Sequence, residues 1–145
     1  MEAVRRDWTR MSHDLQRELL DLLFHDASAV RIEERVAVWI GAVRAGQKDA
    51  DLIYRKGLRK PVAAYIRSSP PHVQAARLLD NPSGVIRYVI TRDGPQPVER
   101  RSAPIDYEHY VRKQIEPLVR TIAQVCPVDV DAVLKGEVDL FRNYS

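Results

Sequence analysis

Seven consecutive residues, Val85-Ile86-Arg87-Tyr88-Val89-Ile90-Thr91, constrain this chain more than any other stretch. All but Arg87 are β-branched or aromatic, side chains that suit a pleated, half-buried surface and lose rotamer freedom in a helix. Pro82-Ser83-Gly84 before the run and Asp93-Gly94-Pro95 after it are turn sequences, so the segment reads as a strand. A strand needs a neighbour, because its backbone N–H and C=O groups must be paired. The alternating run Leu52-Ile53-Tyr54-Arg55-Lys56 offers one. A small antiparallel sheet over 52–56 and 85–91 is expected, with Asp93-Gly94-Pro95 closing the second strand.

The remaining periodicity is helical. Met11, Leu15, Leu19, Leu22 and Leu23 share one helical face, which predicts a helix over 12–25. Ile32, Val36, Trp39, Ile40 and Val43 predict a second, with Ser28 at its cap and Gly46 just past its end. These two helices form an expected hairpin. Pro70-Pro71 after Ser68-Ser69 reads as a capped helix start, carrying Val73, Ala76, Arg77 and Leu79 and stopping at Asp80 to Gly84. Asp106 is placed to cap a long helix through Tyr110, Ile115, Leu118, Ile122 and Val125, which Pro117 should bend. A short helix is expected from Asp129 to Leu134. The order predicts an α+β fold in which helices dominate.

At 145 residues the chain suits one domain or two small lobes. It is 45% hydrophobic and 30% charged, which argues against disorder. No apolar run is long enough to cross a bilayer, and the first residues lack the apolar stretch of a secretory signal. A single cysteine, Cys126, excludes an internal disulfide and fits a reducing, cytoplasmic setting. The net charge of +3 is modest, but it is unevenly spread. Between Asp51 and Arg77 six basic residues face one acidic residue, whereas the last seventeen residues carry four acidic and two basic ones. Such a concentration is either the footprint of a polyanion partner or a solvated face.

Five blocks in order carry a family resemblance. They are Glu2-Ala3-Val4-Arg5-Arg6-Asp7-Trp8, Leu52 to Pro61, Pro70-Pro71-His72-Val73-Gln74-Ala75-Ala76-Arg77, Ile86-Arg87-Tyr88-Val89-Ile90, and Pro104 to Tyr110. Together they resemble the end of the palm and the thumb of B-family DNA polymerases, most of all the bacterial polymerase II type. The resemblance implies one module, with 1–46 a helical palm-to-thumb segment and 47–145 a thumb-like α+β segment. It implies a role in gripping the primer-template duplex, with the catalytic palm and fingers as a possible protein partner. It also implies Mg2+ for the full polymerase and none in this chain. In the family the metal-binding aspartates lie upstream of the residue matched by Glu2, so the 145 residues alone are expected to be inactive. A second reading is a free-standing, polymerase-derived module that binds a polymerase partner and not DNA. The connection from Leu78 to Gly84 is shorter than the family usually has.

Candidate DNA contacts are Arg55, Lys56, Arg59 and Lys60 in the second block, with Arg5, Arg6, His72, Arg77, Arg112 and Lys113 beside them. Cations suit a grip that must hold every sequence, since phosphate contacts carry no base information. For His72 local packing is the competing account, and for Arg112 and Lys113 a surface pair near Glu108 and Glu116. The Asp49/Asp51 and Asp129/Asp131 pairs read as turn and capping carboxylates and not as a metal site. No phosphate loop, zinc spacing or Ser-His-Asp arrangement is present in the sequence.

Overall fold

Val85–Thr91 is a strand in the computed structural model, which describes residues 7–66 and 69–136. We call it β2. It pairs antiparallel with β1, Tyr54–Gly57, and with β3, Gly94–Pro97, in the order β1-β2-β3. The first strand starts two residues later than expected. The third strand was not anticipated: the sequence reading takes Asp93-Gly94-Pro95 as an end, and the chain instead turns there and comes back. Gly94, at φ 94°, supplies the left-handed residue of a tight hairpin, and Thr91 ties the turn by donating to the Gly94 carbonyl at 2.7 Å. Pro95 and Pro97 pair with Ile90 and Tyr88. Proline has no N–H to donate, so β3 is tolerated only at the sheet edge.

The sheet belongs to the first of two compact units, made of residues 7–9 and 50–106 among those described. α3, Pro71–Ala76, packs on all three strands and buries His72, Val73, Ala75 and Ala76. Under it lie Tyr54, Ile86 and Tyr88, none more than 6% exposed, with the Tyr54 and Tyr88 rings stacked at 5.3 Å. Burial pushes the Tyr88 phenol up from its usual range. The far end of β2 is closed by residues 104–106: Arg92 N–H donates to Pro104, and Asp106 N–H to Ile90, both at 2.9 Å. Serine does not cap α3 as expected. Its cap residue is Pro70, and Ser69 instead accepts from Arg77 at 2.6 Å.

The second unit comprises residues 10–49 and 107–136 among those described. α1, Arg10–Phe24, and α2, Ala29–Arg44, form the expected hairpin. Met11, Leu15 and Leu19 are buried one turn apart, as are Ile32, Val36, Trp39, Ile40 and Val43. Each such side chain contributes about 1.5–3 kcal/mol of burial. Glu18 receives Arg35 through two bonds of 2.8 and 3.0 Å and the Trp39 indole at 3.2 Å. The Arg35 bond above all holds the Glu18 carboxyl below its usual range.

α4 covers 107–122 in three pieces: Tyr107–Tyr110, a π-helical turn Val111–Ile115, and Glu116–Ile122. Pro117 lies just after that turn. Its ring would collide with the carbonyl four residues back, and the wider turn moves that carbonyl aside. The helix therefore continues past the proline, although it stops at Ile122, short of the expected Val125. α5, Val130–Lys135, is capped by Asp129, whose side chain accepts from Ala132 N–H at 3.1 Å. The Asp129 N–H in turn donates to buried Glu33 at 2.6 Å.

Candidate nucleic-acid interface

Strand register decides which cations meet. β1 and β2 align Tyr54 with Tyr88, Arg55 with Arg87, Lys56 with Ile86 and Gly57 with Val85. Successive side chains point to opposite faces, so Tyr54 and Lys56 lie on the α3 side and Arg55 and Gly57 on the other. On that other side Val89, Thr91 and Gln96 are buried, with the Gln96 side-chain Oε1 accepting from Ser102 and Ala103 N–H. The β1 half of the face stays open, carrying Arg55, Arg87 and a Val85 that is 62% exposed. Neither arginine has a carboxylate partner among the described residues.

The four basic residues of the second block are thus not one cluster. Lys56 projects away from Arg55 and its ammonium lies 3.2 Å from Asp7. Arg59 and Lys60 are exposed in the loop after β1, Lys60 standing 4.7 Å over the Tyr65 ring. His72 is buried, its ring edge-on to Tyr65 at 6.1 Å. Burial, and then the nearby Lys56 charge, hold its pKa below the ordinary value. Arg77 is used locally, bonding Ser69 and the Tyr65 carbonyl at 2.6 and 3.0 Å. Arg112 and Lys113 are exposed on the π turn of α4, in the second unit. Arg5 and Arg6 lie outside the described residues. Arg87 was missed as a candidate because its strand reads as apolar. The alternation around it does assign it to the polar face, but only the register sets it opposite Arg55.

No protein-family model matches the chain. It is 36% identical to DNA polymerase II of Escherichia coli, over 97% of this chain and 19% of that protein. It is 31% identical to DNA polymerase 2 of Aeropyrum pernix, over 93% of this chain and 18% of the relative. With a DNA polymerase of Methanocaldococcus jannaschii the identity is 28%, over 97% of this chain and 9% of the relative. This chain is related to the B-family DNA polymerases. It spans about a fifth of the length of the first two relatives.

Carboxylates of this polymerase-related chain serve local structure. Asp49 accepts from the Tyr107 hydroxyl at 2.9 Å, and Glu108 receives Arg44 through two bonds of 2.8 Å. Asp80, in the short connection after α3, takes Arg100 at 2.7 Å. Among the described residues no three His, Cys, Asp or Glu side chains group together as metal ligands. No described helix is long and apolar enough to cross a membrane. Cys126 is half-buried beyond the end of α4.

Proposed function

We propose that the first unit grips the phosphate backbone of primer-template duplex DNA, as the thumb of a B-family polymerase whose palm and fingers supply the Mg2+-dependent chemistry. The observation that carries this reading is the open half-face of the sheet, where Arg55 and Arg87 stand side by side without counter-charges among the described residues. Arg59 and Lys60 extend the positive charge along the following loop. Lys56 contributes less, because Asp7 already offsets it. The aromatic rings of the sheet itself, Tyr54 and Tyr88, are buried and turned away from any base. Contacts confined to phosphate and sugar hold every sequence alike, which template-directed synthesis requires.

Fluorescence anisotropy with two unrelated duplexes tests the proposal. The expected affinity is weak, with Kd on the order of 10⁻⁴ to 10⁻⁶ M, and equal for both sequences. Three or four phosphate contacts give a slope of about −2.7 to −3.6 in log affinity against log salt. Absence of binding at low salt, about 50 mM, would overturn the grip.

A further inference from the structure

We infer that Arg55 and Arg87 form a single subsite that holds one phosphodiester of the duplex between two guanidinium groups; this rests on the grip proposed above. Residues directly opposite in an antiparallel pair have Cβ atoms about 4.5–5.5 Å apart, and like charges so placed destabilise the sheet. Arg55 and Arg87 are such a pair, both exposed, with no acidic side chain between them among the described residues. Of the unit's carboxylates, Asp7 and Asp80 pair with Lys56 and Arg100. An anion from outside would turn this repulsion into attraction.

The shape of the site favours a phosphodiester. A guanidinium is a planar fork of N–H donors that matches a phosphate oxygen pair, and a diester has two free oxygens, one for each fork. Beside the arginines, Gly57 leaves open space, since a Cβ built there meets nothing within 4 Å. Opposite it, exposed Val85 gives the apolar edge of a deoxyribose a surface to rest on. The exposed cations of the next loop, Arg59 and Lys60, lie toward Tyr65 and His72 and raise the positive charge of the unit as a whole, which draws a polyanion in.

A double-mutant cycle on the full 145-residue chain tests the subsite with the same two duplexes. Arg55→Gln and Arg87→Gln should each weaken binding roughly tenfold, the range of a charged hydrogen-bonded contact. Because both serve one phosphate, the double variant should lose more than either single one but less than the product of the two losses. Its salt slope should flatten by about 0.9, the value for one phosphate. Arg87→Lys should keep the slope yet weaken binding, because the charge remains and the fork is gone. Losses that multiply, with a slope flattened by about 1.8, would mean two independent phosphates and overturn the shared subsite. An Arg87→Gln variant that binds like the parent overturns it too. Parent chain that fails to bind at all defeats the grip itself, and this inference with it.

Discussion

His72 shows how much a single side chain depends on its surroundings. Its imidazole is 4% exposed, and Nδ1 has no hydrogen-bond partner among the described residues. Burial lowers its pKa first, Lys56 and Arg59 lower it further, and Asp7 opposes them. In the unfolded chain the group titrates near its ordinary value of about 6.5. Below that pH the unfolded chain takes up a proton that the folded one resists. The stability associated with neutral His72 is therefore complete above about pH 6.5 and declines as pH falls from there. Melting between pH 7 and 5 should show this loss, and His72→Phe should flatten the profile; an unchanged profile in that variant would count against the buried imidazole as its source. The sequence placed His72 at a helix start but left packing and phosphate contact as rival accounts. Ser28 and Asp129 were legible as caps because a cap bonds backbone two or three residues away. The Arg55–Arg87 opposition joins residues more than thirty apart in sequence, and no local pattern sets it.

Elements were read best where their signals are local. The α1–α2 hairpin follows from apolar spacing, and the end of α2 from Gly46. That glycine sits at φ 78°, its N–H donating to the Val43 carbonyl at 3.1 Å. A Cβ there would meet the Tyr107 hydroxyl at 3.1 Å and force an L-residue into the left-handed region. Gly46→Ala should cost about 1–2 kcal/mol, lowering Tm by roughly 2–8 °C at 2–4 °C per kcal/mol, as calorimetry would read; an unchanged Tm would contradict the strained cap. β3 escaped because two prolines in four residues argue against a strand, and only its place at the sheet edge removes the objection. The π turn of α4 escaped for a related reason. Pro117 announces an interruption, but whether a helix bends, ends or widens depends on the core it must keep covering, here Tyr110, Ile115, Leu118 and Val119.

The two units are grouped in space and not by chain order. Each combines segments from either side of the other, so no single boundary along the sequence separates them. The chain spans about a fifth of its first two polymerase relatives, and several of its described carboxylates are engaged in caps and ion pairs. Primer extension with purified chain, Mg2+ and four nucleotides should give no product, and extension above a mock preparation would refute that expectation. The sequence by itself determined the polymerase relationship, the α+β class, the hairpin, the caps at Ser28 and Asp129 and the excess of positive charge. Those depend on residue identity and on spacing within a few turns. Tertiary structure alone decided that Lys56 meets Asp7, that β3 exists, and that Arg87 completes the cationic pair. The last of these turns on strand register, which is fixed by what the whole sheet buries and not by any residue's neighbours in the chain.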